Sequence, residues 1–189
     1  AFDVENVNPN PARFDQKKAD AINAAHIRLL SADDFKNRLV PYLQSAGLVG
    51  HELTAQQEQI LDAAAPLIQE PIVVLSEAAP MLGFLFTADE DIVVEEDAKA
   101  GLPANAGEIA QAAIAAVEAI DADAFTTEAV QNALQAKLIE ELELKPRIAF
   151  GPIRTAISGR RISPPLFESM QILGKPETLI RLQQFAEAN

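Results

Sequence analysis

The residues best suited to chemistry lie near the end of the chain, in GPIRTAISGRRISPPLFESMQILG. Here the pattern predicts a short helix presenting Arg154, a glycine turn at Gly159 presenting Arg160 and Arg161, and a new helix capped by Ser163 and opened by Pro164 and Pro165. Guanidinium forks beside the free N–H groups of a helix start suit phosphate oxygens, and arginine also hydrogen-bonds to or stacks on an exposed base. The pattern therefore fits a single-stranded RNA site. On these residues alone, a purely structural role for the arginines stays open, because capped helices with arginines nearby are common.

Other chemistries find little support. His26 and His51 are far apart and in no H-x-x-x-H or H-E-x-x-H pattern, so both read as solvated or packing side chains rather than ligands. No phosphate-binding glycine loop occurs among the eight glycines. The acidic runs DED and EED lack calcium-loop spacing and read as solvated loops. With no cysteine, disulfides, thiolate metal sites and cysteine nucleophiles are excluded together. We expect no catalytic residue, metal or cofactor within the chain.

The elements that must position the arginines are helical. Of the 189 residues, 49% are apolar and only 5% aromatic. Alanine and leucine dominate, which favours helix over sheet because such side chains lose little rotamer freedom there. The expected fold is all-α: two small helical bundles in series, residues 48–99 and 100–189, preceded by a helical segment over 1–47. The net charge of −13 argues against a polyanion partner until its distribution is seen. Residues 1–40 are neutral, 41–144 carry −17 and 145–189 carry +4. An acidic middle followed by a basic end suggests surfaces meeting different partners. No apolar run reaches membrane-spanning length and the N-terminus is no signal peptide, so a cytoplasmic location is expected. A first residue Ala1 is consistent with a fragment or a processed chain.

Along the chain, Asn10 and Pro11 predict a helix start, with that helix running to about Leu30. Ser31 and Asp34 open a second helix stopped by Gly47; Thr54 and Gln57 form a capping box for a third. Pro66 and Pro71 predict a kink or short connection, and Pro80 the end of the next piece. The cluster MLGFLF should pack inward, and the charged stretch over 87–107 should be the boundary. Asn105 and Glu108 predict another helix start, followed by a helix ending near Leu144, a break at Pro146, the helices around Arg154 and Ser163, a stop at Gly174 and a last helix from about Pro176.

The segment from Ile153 to Leu182, IRTAISGRRISPPLFESMQILGKPETLIRL, resembles the closing motif of bacterial glutamyl-tRNA synthetases. Residues 10–35, with Phe14, Asp15, Lys18, Asn23, Ile27 and Arg28, resemble the helices that follow that family's catalytic domain. LIQEPIVVLSEAAPMLGFLF, residues 67–86, resembles its first anticodon-binding subdomain. The resemblance implies an all-helical cage gripping a tRNA anticodon, monomeric, with glutamate-accepting tRNA as partner and neither DNA nor membrane. By motif position, Arg154, Ser163, Pro164 and Leu166 correspond to residues meeting anticodon bases, while Gly159 and Phe167 look structural. Charge alone adds Lys145, Arg147, Arg160 and Arg161 as phosphate contacts, and Lys17, Lys18 and Arg28 as residues facing the tRNA stem. Where many members carry a base-reading arginine, this chain has Pro71. Either Gln69 or another neighbour substitutes, or the site is permissive and also accepts glutamine tRNA. The family's catalytic signatures H-I-G-H and K-M-S-K-S are absent, so the chain should be inactive alone, with ATP and magnesium used by the parent. The alternative is an acidic helical module that docks on another protein without binding RNA.

Overall fold

The structure, a computed structural model, describes residues 15–189. Asn10 and Pro11 lie outside that range. The first helix, α1 (Gln16–Arg28), starts where Asp15 is extended and its carboxylate accepts the backbone N–H of Lys18. A cap at Asp15 supersedes a start at Pro11 for this helix, because an extended residue cannot carry a helix through it. Helix α2 (Ala32–Ser45) begins as expected, with Ser31 Oγ accepting from the Asp34 amide. Phe35, Leu39 and Leu43 recur every fourth residue on one buried face, and Gly47 ends the segment at φ 72°.

Helix α3 (Ala55–Gln69) starts with both halves of the Thr54–Gln57 capping box in place. Thr54→Ala removes one of the two bonds and should cost about 1 kcal/mol in urea unfolding; a change below a few tenths would show the box to be dispensable. The kink or short connection expected at two prolines falls at one of them: the chain turns at Glu70 and Pro71, whereas α3 runs through Pro66 to Gln69. Proline removes one helical hydrogen bond, but Leu61, Ala64, Ala65 and Ile68 are buried around it, and their packing holds the last turn. Pro80 is likewise inside a helix, α4 (Ala78–Leu82), rather than closing the piece. It occupies the first turn, where its absent N–H would have had no helical partner. Leu82, Phe84 and Leu85 are buried, as the apolar cluster predicts.

The remaining helices are α5 (Glu96–Ala100), α6 (Ala106–Glu118), α7 (Thr127–Leu134), α8 (Pro146–Ser158), α9 (Leu166–Leu173) and α10 (Lys175–Ala188). The start at Asn105 is found, yet its side chain makes no cap bond. Alanine at positions 106, 110, 113 and 116 gives α6 a smooth buried face, against which α10 and α8 pack. After α7 the chain widens into a π-helical stretch, Gln135–Glu141, that sequence periodicity does not reveal. Pro146 begins α8 rather than marking only a break, since proline's fixed φ suits a first helical position. The described residues are α-helical, 3-10, π-helical or irregular, with no strand among them. Buried apolar side chains from Ile27 to Phe185 form one continuous core.

Candidate nucleic-acid interface

Helix α8 and the loop 159–165 build the basic site. Arg147 and Arg154 stand about two helical turns apart and so share a face of α8. At the helix end, Gly159 takes the left-handed conformation, φ 72°, and turns the chain back so that Arg161 reaches the same cavity. That cavity, about 330 Å³, is lined by Arg147, Arg154 and Arg161 together with Phe150, Leu102 and Pro103. Three arginines thus line a space that also has an apolar wall.

Arg154 is the most constrained of the three. Its Nη1 donates to Ser163 Oγ at 2.6 Å, to Pro164 O at 2.9 Å and to Ser163 O at 3.3 Å. Among the described residues its Nε and Nη2 have no acceptor, so one side of the fork is anchored and the other is available. Burial lowers the Arg154 pKa below its ordinary value, because the charge loses part of its hydration. An anion entering the cavity would restore that lost solvation.

The expected capping role of Ser163 is corrected. Helix α9 begins at Leu166 after Pro165, without a side-chain cap, and the Ser163 hydroxyl donates to Pro164 O at 3.1 Å while accepting from Arg154. A residue before proline is pushed out of helical backbone geometry, which leaves Ser163 to hold the arginine. Pro164 and Leu166 are buried, so their side chains shape the loop. Phe167 meets Phe150 edge-on, with ring centres 5.4 Å apart.

The other predicted basic residues divide into two groups. Lys145 is exposed beside the start of α8, and Lys17 and Lys18 are exposed on the first turn of α1. Arg160 instead spends its fork within the protein, donating to Pro80 O at 2.6 Å and pairing with Glu95 Oε1 at 3.0 Å. Arg28 donates through Nε and Nη2 to Glu70 O at 3.1 and 2.9 Å. Asn23 donates to Val73 O, so α1 is tied to the turn carrying Pro71. Gln69 completes this tie through its amide, which donates to Ile27 O at 3.1 Å and Leu30 O at 2.9 Å. Pro71 itself is exposed. The donors near it are occupied, Ile72 N by Ile68 O and Val73 N by a Glu77 carboxylate oxygen.

Sequence reasoning passed over Arg181, which is 3% exposed and bonded to Asp89. The signal was present: Thr178, Arg181, Leu182 and Phe185 make one buried stripe, with a charge at an apolar position. Among the described residues there is no group of three His, Asp or Glu side chains placed to hold a metal ion, and no helix long and apolar enough to cross a membrane.

The anticodon binding domain family matches residues 34–186, most of the chain. The chain belongs to that family. This anticodon binding domain is 60% identical, over 97% of its length, to the glutamate–tRNA ligase of Arthrobacter sp. (strain FB24), and 54% identical, over its whole length, to that of Leifsonia xyli subsp. xyli. It spans 36% and 38% of those relatives, little more than a third of each. The resemblance to bacterial glutamyl-tRNA synthetases is therefore real across the whole domain. A crystal structure of a glutamate–tRNA ligase from Elizabethkingia meningosepticum superposes with a TM-score of 0.74 at 22% identity, covering 98% of this domain and 35% of that chain. At that identity the match shows the shared all-helical fold.

Proposed function

We propose that this anticodon binding domain is the tRNA-reading module of a ligase that charges tRNA with glutamate. The observation that carries the reading is the Arg154 fork, clamped by Ser163 and Pro164 at the wall of a cavity that Arg147 and Arg161 also line. One anchored guanidinium suits recognition of a base edge, and the two exposed arginines suit the phosphates on either side. Lys145 extends the phosphate track, and Lys17 and Lys18 face the tRNA stem. Arg28 and Arg160 act by holding the frame, since their donors serve carbonyls and a carboxylate of this chain. Ser163, Pro164 and Leu166 act by setting the arginine and the loop.

The Pro71 turn supports a permissive reading of the last anticodon base. Proline has no N–H, the amides of Ile72 and Val73 are occupied, and the Gln69 amide holds α1. Glutamine-accepting tRNA is accordingly a second partner. The division into 1–47, 48–99 and 100–189 is kept as one of function: stem contact, then two anticodon-reading parts. ATP and magnesium belong to the catalytic half of the parent ligase, and this domain's own residues take no part in that chemistry. We place the parent in the cytoplasm as a monomer.

Fluorescence anisotropy with anticodon stem-loops tests the proposal. The glutamate loop should bind preferentially, tolerate a changed last base, and lose affinity with a log–log salt slope of about −0.7 for each phosphate contact. Equal binding to every loop at all salts would favour a protein-docking module instead.

A further inference from the structure

We propose that Arg181 is a positioning residue of the RNA site, holding α8 and its arginines at a fixed setting against the first bundle. The inference rests on the RNA-reading proposal above. Arg181 sits on the buried face of α10 and bonds to two stretches of chain distant in sequence, residues 84–89 and Ile157. Nε donates to Asp89 Oδ1 at 2.6 Å, Nη2 to Thr87 O at 3.1 Å, and Nη1 to Phe84 O at 3.0 Å and Ile157 O at 2.8 Å. Ile157 lies about one turn beyond Arg154 on α8, while residues 84–89 follow α4, within the segment 48–99 that also carries the Pro71 turn. A single planar group thus fixes the distance and direction between the helix that carries the site and the bundle that carries the Pro71 turn.

Stability alone does not account for this choice. A buried ion pair can often be replaced by apolar side chains without loss of stability, because desolvation offsets much of the attraction. What an apolar side chain lacks is direction: it would fill the space and let α8 slide or rotate by an ångström against residues 84–87. A recognition site tolerates such a shift poorly, since Arg147, Arg154 and Arg161 must meet one ligand together.

The test uses Arg181→Met and Arg181→Lys in the whole chain, with the wild type and a panel of anticodon stem-loops beside them. Each variant is measured about ten degrees below its own melting temperature, where circular dichroism reports it folded. The expected result is full binding stoichiometry, with Kd for the glutamate loop raised about tenfold in both variants and a narrowed preference among loops. Lysine should not rescue, because one ammonium cannot reach all four acceptors. Wild-type Kd in either folded variant would overturn the proposal. Should neither variant fold, Asp89→Ala keeps the arginine and its three carbonyl bonds, and it should raise Kd about threefold; an unchanged Kd there would overturn the proposal equally. If the wild type itself binds no loop, the RNA-reading proposal fails and this inference falls with it. Loop-selective wild-type binding that the variants retain removes this inference alone.

Discussion

Replacing Gly159 by alanine will destabilise the chain by about 2–5 kcal/mol, from about 1–2 for left-handed backbone and about 1–3 for overpacking. The backbone contribution arises because φ is 72° and any Cβ crowds the carbonyl there. The packing contribution comes from outside: a Cβ would overlap the Val93 carbonyl oxygen and lie 3.1 Å from its carbon. That carbonyl cannot retreat easily. Two residues on, Glu95 N donates to Gly159 O at 2.8 Å and the Glu95 carboxylate pairs with Arg160. Urea unfolding should show a lower midpoint at unchanged slope. Gly151 supplies the contrast, since it is helical and nothing would lie within 4 Å of its Cβ. Gly151→Ala should therefore leave stability unchanged or raise it by about 0.5–1 kcal/mol. A loss below about 1 kcal/mol for Gly159→Ala would mean that the loop carrying Arg160 and Arg161 repacks freely.

Removing the Arg154 fork should have the largest effect on binding. Arg154→Ala is expected to weaken the glutamate loop by about 1–3 kcal/mol, roughly 5- to 150-fold, the range of one well-placed base contact. The cost to folding should be much smaller, about 1 kcal/mol, because the side chain is only half-buried and water can reach the freed Ser163 hydroxyl. Arg154→Lys should recover little, since one ammonium cannot hold the Ser163–Pro164 carbonyls and a base together. Arg147→Ala should act differently, weakening all loops alike and making the salt slope about 0.7 shallower. Anisotropy titrations at several salt concentrations separate the two behaviours. A uniform loss across loops for Arg154→Ala would reassign it from base reading to phosphate binding.

The arginines show where sequence reading reaches its limit. Counting charge treats Arg147, Arg154, Arg160 and Arg161 as equivalent, and the structure separates them by their acceptors. Arg160 bonds a carbonyl 80 residues away, and Arg28 one 42 residues away. Acceptors so distant in the chain leave no mark on local sequence. Arg181 is the extreme case, with acceptors up to 97 residues away in sequence. Its position in an apolar stripe marks it as unusual without naming its partners.

The amino-acid sequence by itself determined the all-helical character, the caps at Ser31 and Thr54, and the ends at Gly47, Gly159 and Gly174. These rest on bonds and backbone preferences spanning a few residues, so the information is local. Only the tertiary structure decided that helices continue through Pro66 and Pro80, that Ser163 clamps an arginine, and that α1 is tied to the Pro71 turn. At Pro66 the burial of neighbouring apolar side chains outweighs proline's local cost of about 3 kcal/mol, whereas Pro80 sits in a first turn and loses no helical bond. The clamp and the tie are side-chain contacts between separate elements, which local preferences do not encode.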